Sequence, residues 1–281
     1  MLKPLYYIIF NHKPSYYIGA FIHKLFPEKA YMDSFFQNRH RMHNRMRYFY
    51  INELLKKDSK YHYDFMRTVW SGETGHQMNC MAHIPKGPEH RIAFKRHLEA
   101  TKRCLPKGLS VCDMGCGGGT LLNSLKLKGK QLGIDINSKS IKWAKKMYPH
   151  NEFKHVEKLE DWLSENRKDW VVLLECVLVY FPEFYAIELL KSIRRSEATL
   201  IISDTVYHDM NQETSIPIGV RNSHSHPKLL EKSGFEIVYF NKLHACEINS
   251  CMFSEDYRKR TARQNDNWEY YVNNYIRAVP K

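Results

Sequence analysis

The residues best suited to chemistry are eight in a row, Asp113-Met114-Gly115-Cys116-Gly117-Gly118-Gly119-Thr120. They follow the apolar run Leu109-Ser110-Val111-Cys112, which reads as a buried strand. Without Cβ atoms, the glycines can adopt backbone conformations closed to other residues and let a ligand approach the main chain closely. The segment from Leu121 to Leu127 is compatible with a helix whose free amides and positive end would face that ligand. On its own the loop is equally a tight strand-to-helix connection. A second strand-like run, Gln131 to Asp135, ends in a carboxylate about twenty residues further on, the distance at which an acid can bond both hydroxyls of a ribose.

A dinucleotide site would carry Gly-x-Gly-x-x-Gly, whereas this loop reads Asp-x-Gly-x-Gly-x-Gly. In that form it resembles the class I S-adenosylmethionine-dependent methyltransferases: Asp113, Gly115, Cys116, Gly117 and Gly119 match the family's first motif, and Asp135 matches its second. The resemblance implies an α/β fold, a Rossmann-like, mostly parallel seven-stranded sheet with helices on both faces and one antiparallel strand. It also implies S-adenosylmethionine as cofactor, held by those six residues, by Glu157 after the third strand near the adenine, and by Glu175 at the end of the fourth. Tyr180, in the loop that follows Trp170 to Glu175, is expected to face substrate. The fifth strand is expected at 198–204, a late helix and sixth strand at 229–238, and the seventh at 248–253.

The implied reaction is attack by a nucleophile on a sulfonium methyl, so the protein must align the reactants and, for a hydroxyl acceptor, remove a proton. His224 and His226 are favoured as base, because many small-molecule members of the family place a substrate-facing histidine there and a neutral imidazole accepts a proton near neutral pH. Glu175, Tyr180, Asp204, His208 and Asp209 are the other candidates. Glu175, Asp204 and Asp209 could instead hold a divalent cation, but their spacing matches no metal motif and no metal is expected.

Of a net charge of +13, residues 1–105 hold eighteen Lys or Arg against eight Asp or Glu. This places most of the excess ahead of the glycine loop and points to an anionic partner. The sequence divides into an N-terminal helical lid or recognition extension (1–105), a methyltransferase domain (106–256) and a helical tail (257–281). Within the extension, 31–57 has the apolar spacing of a helix face. Arg41 and Arg45 on its other side are read as contacts to an anionic or phosphorylated small-molecule or glycan acceptor. The same charges would also serve as a solvated face, an RNA surface or a peripheral membrane contact. Trp70 to His76 reads as an ordered loop, with Glu73 and His76 either in the site or on the surface. No apolar run is long enough to span a bilayer, and a cytoplasmic location is expected. The seven cysteines show no zinc spacing and read as buried thiols.

The expected function is O-methylation of a small-molecule, sugar or sugar-phosphate acceptor. RNA methylation and noncatalytic cofactor binding are the alternatives.

Overall fold

The computed structural model of the chain describes residues 53–81, 88–207, 216–218, 221–244 and 271–281, with positions 17, 18, 20, 21, 24, 50 and 51. Arg41, Arg45, His208, Asp209 and the 248–253 segment lie outside the described residues.

The central strands are short apolar runs. β1 (Ser110–Met114), β2 (Gln131–Asp135), β3 (Glu152–His155), β4 (Trp170–Glu175) and β5 (Thr199–Tyr207) pair in parallel. In β4, Val171 to Leu174 are fully buried, as a strand covered on both faces requires. A hairpin of β6 (Ile216–Ile218) and β7 (Arg221–Ser223) stands apart, and β8 (Phe235–His244) and β9 (Tyr271–Pro280) complete a seven-stranded sheet of order β3-β2-β1-β4-β5-β9-β8. β9 is antiparallel to both neighbours.

The last strand corrects the expected helical tail, since residues 271–280 form the strand on which β5 and β8 meet. Tyr275 is buried on one face of the sheet, with Ile276 and Ala278 on the other. A segment buried on both sides in this alternating way has the period of a strand and not of a helix.

Helices cover each face. Ala100 and Cys104 of α3 (Pro88–Cys104), Leu121 and Leu122 of α4 (Thr120–Leu125) and Ile141 and Ala144 of α5 (Ser138–Met147) pack with Val111, Leu173 and Ile201. α3 therefore belongs structurally to the sheet domain, although it falls inside the expected extension. On the opposite face, α6 (Glu183–Arg195) and α7 (His226–Lys232) bury Leu189, Ile193, Leu229 and Leu230 against Met114, Val172 and Ile202. Each such side chain contributes about 1.5–3 kcal/mol through removal from water.

Ahead of α3, α1 (Ser59–Ser71) starts at an Asp58 cap whose side chain accepts from the Tyr61 amide. It buries Phe65, Met66 and Val69 with Ile51 and Leu55 in a smaller core. Gly72 separates α1 from α2 (Glu73–Met81), so the expected loop from Trp70 to His76 is a break between two helices. No helix among the described residues is long and apolar enough to cross a membrane.

Candidate functional site at the carboxyl ends of β1, β2 and β4

From β1 the strand order runs to β2 and β3 on one side and to β4 and β5 on the other. Such a reversal opens a crevice beyond the strand ends, where open α/β sheets bind ligands. The glycine loop leaves β1 at that point.

Gly117 and Gly119 have φ values of 54° and 78°, the left-handed region that side chains disfavour. A Cβ on Gly119 would lie 2.6 Å from the Phe153 ring, and one on Gly117 would lie 3.2 Å from the Asn79 side chain. The loop's amides are largely used within the protein. Those of Gly115 and Cys116 donate to the Ile134 carbonyl, and that of Gly119 donates to the Cys116 carbonyl. The Gly117 amide donates to Asp135 Oδ2 at 2.9 Å. Cys116 turns its side chain into the core under α4 and α5, leaving only its backbone near the crevice.

Asp135 is 5% exposed and also accepts from the Asn137 amide through Oδ1 at 2.7 Å. Burial raises its carboxyl pKa to about 6, with the two amide bonds acting the other way. Each oxygen thus spends one lone pair on the backbone and keeps another. Glu157, two residues beyond β3, is exposed, and its carbonyl accepts from Arg67 of α1 at 3.3 Å.

The two early helices lie over this crevice through Asn137, Asn79 and Ser140, which the sequence did not single out, and through Trp70, Glu73 and His76, which it did. The fully buried Asn137 caps α5 through Oδ1, while its Nδ2 donates to the Trp70 and Gly72 carbonyls at 2.7 and 2.8 Å. Asn79 and His76 both contact Ser140 Oγ, at 3.3 and 3.4 Å, and Glu73 pairs with Lys139. Glu73 and His76 therefore join α2 to α5. Beyond β4, Tyr180 lies 4.6 Å from the Trp70 ring, and Tyr63 of α1 stacks on Tyr185 at 4.1 Å.

Glu175 points to the α3 face, its side chain 11% exposed and 3.4 Å from His97. Asp204, one register position beyond Glu175's partner Ser203, points to the other face. These two carboxylates therefore do not converge on a cation.

His224 and His226 are 1% and 0% exposed, against the expectation of substrate-facing imidazoles. His224 Nε2 lies 2.9 and 3.0 Å from the Leu178 and Phe181 carbonyls, so it carries a proton and donates it. Burial and the neighbouring His226 lower its pKa to about 4. His226 Nε2 faces Asp204 at 3.7 Å and Nδ1 faces the Asn274 amide at 3.1 Å, so both ring nitrogens are turned to protein groups. As placed, the two imidazoles brace the loop after β4 and the end of β5.

The described geometry agrees with what the chain is similar to. A family model described as a methyltransferase domain matches residues 105–270. Over 71 residues the chain is 38% identical to the 235L protein of Invertebrate iridescent virus 6, which is named as a methyltransferase; the match covers 24% of this chain and 26% of that protein. Among solved structures, magnesium protoporphyrin IX methyltransferase of Synechocystis PCC 6803 with S-adenosylhomocysteine superposes with a TM-score of 0.52 at 18% identity, covering 78% of this chain and 100% of that one. A cyclopropane synthase of Mycobacterium tuberculosis superposes with the same TM-score at 11% identity, over 79% and 97%.

Proposed function

The chain belongs to the methyltransferase-domain family, and from that membership we propose that it methylates an oxygen of a small anionic acceptor held beneath the aromatic side chains of α1. It is an S-adenosylmethionine-dependent methyltransferase; the acceptor class, the oxygen and the residue roles are our reading. The observation that carries the acceptor class is the aromatic wall of Trp70, Tyr180, Tyr63 and Tyr185 beside the β4 end. In our reading this wall bounds the acceptor side for a low-mass ligand. Arg41 and Arg45 are proposed to contact its anionic group.

The residues present fit the cofactor. Asp135 is a buried carboxylate whose ionised form is poorly solvated, and two ribose hydroxyls are donors that would compensate it. Asn79 of α2 lies against Gly117 and Gly118 and, with His76, closes that side of the loop. When bound, S-adenosylmethionine supplies an electrophilic methyl: the acceptor oxygen forms the new C–O bond as the C–S bond breaks with its electron pair remaining on sulfur. This chain's residues then act by alignment. Asp135 fixes the adenosine end, Glu157 lies toward the adenine, and Glu175 and Asp113 make the other end acidic. Tyr180, held against Trp70, shapes the acceptor side, and the acceptor's proton passes to solvent.

The raised carboxyl pKa of Asp135 has a consequence for binding. Ribose hydroxyls favour the ionised carboxylate, so affinity should be flat above pH 7 and fall as the pH drops through about 6. At pH 5 the S-adenosylhomocysteine Kd should be about tenfold higher, one pH unit below the pKa giving one decade. Calorimetry across this range checks it, and Asp135→Asn should flatten the dependence.

Transfer itself is tested by incubating the protein with 13C-methyl-labelled S-adenosylmethionine and, separately, a low-mass metabolite fraction or total RNA. A low-mass product with a methoxy carbon resonance is the expected result. Label confined to RNA overturns the small-acceptor reading, and a methyl carbon bonded to nitrogen or carbon overturns the oxygen assignment.

A further inference from the structure

We propose that His97, oriented by Tyr275, is a positioning residue that holds the Glu175 carboxylate as acceptor for the ammonium group of the cofactor's amino-acid end. The inference rests on the reading that Glu175 lines the cofactor site.

Its parts come from three separate elements. His97 lies on α3 and is 3% exposed, and Tyr275 lies on β9 and is fully buried. The Tyr275 hydroxyl is 2.8 Å from His97 Nδ1. His97 Nε2 is 3.4 Å from Glu175 Oε1 at the end of β4.

The chemistry gives this chain a direction. Burial raises the Tyr275 pKa, so the side chain stays a phenol, while a hydrogen bond from the Asn273 side chain favours negative charge on its oxygen. With Nε2 turned to the Glu175 carboxylate and so carrying the imidazole hydrogen, the phenol 2.8 Å from Nδ1 donates its proton to that nitrogen. The opposite tautomer would set a lone pair against the carboxylate. At 3.4 Å the last link acts as an electrostatic contact more than a short hydrogen bond, enough to select one orientation of Glu175.

A second contact reaches the same oxygen. Cys176 Sγ lies 3.4 Å from Glu175 Oε1, and Cys176 has φ 53°, a left-handed conformation for a residue with a side chain. Its amide is fixed to the Ser203 carbonyl at 2.9 Å. Such strain persists where the surroundings over-determine it, and here it turns the chain away from β4 while leaving Glu175 directed toward α3.

The location selects the ligand group. Asp113 and Glu175 both face α3 at the reversal between β1 and β4, so two carboxylates mark that end of the crevice, opposite the Asp135 end. A cation is the complementary partner, and the cofactor's α-ammonium is one that both S-adenosylmethionine and S-adenosylhomocysteine carry.

The test compares S-adenosylhomocysteine with 5′-methylthioadenosine, which keeps the adenosine and thioether but lacks the amino-acid end. By calorimetry, Glu175→Gln and His97→Gln should each weaken S-adenosylhomocysteine about tenfold and Tyr275→Phe about threefold, the range of a charge-assisted hydrogen bond and of its loosened orientation. Methylthioadenosine affinity should change less than twofold in all three, whereas Asp135→Ala should weaken both ligands. Nitrogen NMR of the wild type should show Nδ1 of His97 unprotonated and Nε2 protonated. Equal weakening of both ligands by His97→Gln and Tyr275→Phe would mean a structural role only and overturn the proposal. Loss with Glu175→Gln but not with the other two would overturn the relay and keep Glu175. Failure of the wild type to bind either ligand would instead overturn the cofactor assignment on which the proposal stands.

Discussion

Asp135→Ala is expected to weaken S-adenosylhomocysteine binding by a hundredfold or more. The carboxylate accepts the amides of Gly117 and Asn137, and Asp135 is nearly fully buried. Truncation leaves two buried donors without their acceptor, at about 1–3 kcal/mol each, and removes two bonds to the ribose. Relief of a buried charge offsets part of this in the free protein, since ionised Asp135 is poorly solvated. The loss should therefore appear more in the binding constant than in the melting temperature. Asp135→Asn keeps one carbonyl acceptor and should fall between the two. An Asp135→Ala protein that binds within threefold of wild type would show that the ribose is held elsewhere.

Those residues were legible in the sequence because the information is local. A glycine loop and a carboxylate twenty positions later lie on consecutive strands, and the apolar runs Val111 to Met114 and Val171 to Leu174 allow little besides buried parallel strands. Other parts depend on contacts that no short window contains. The Asn137 amide reaches back 67 residues to Trp70 and His97 reaches forward 178 residues to Tyr275. Asn137 did carry a local signal, since Asn-Ser-Lys-Ser before Ile141 has the form of a helix cap; its second role as a clamp on α1 had none. β9 was misread because paired asparagines interrupt its apolar pattern. Asn273 and Asn274 are nonetheless buried, bonded to Tyr275 and His226. For the same reason nothing local marked His224 and His226 as buried: serine, asparagine and histidine around them conceal that α7 starts inside the core.

His224→Ala should lower both stability and turnover, and His224→Gln should restore most of each. The imidazole gives its Nε2 proton to the Leu178 and Phe181 carbonyls, which bracket Tyr180. Truncation leaves those acceptors without their buried donor and opens a void, together costing about 2–5 kcal/mol. Turnover should fall because Tyr180 loses its fixed place against Trp70. A glutamine amide has two N–H donors for the carbonyls but cannot accept a proton at neutral pH. A general base would lose about 10²–10⁴ in turnover with either substitution, so activity of His224→Gln within tenfold of wild type separates brace from base. The pH dependence of stability gives an independent check. His224 is held neutral, its pKa lowered by burial to about 4, whereas the unfolded chain protonates near 6.5. Its contribution is therefore complete above 6.5 and is lost as pH falls toward 4, at about 1.4 kcal/mol per pH unit. Denaturant unfolding between pH 7 and 5 should show roughly 2 kcal/mol less acid destabilisation for His224→Gln than for wild type, by the same linkage. Equal acid sensitivity in the two proteins, together with a turnover loss of a hundredfold or more in His224→Gln, would return the imidazole to the role of base.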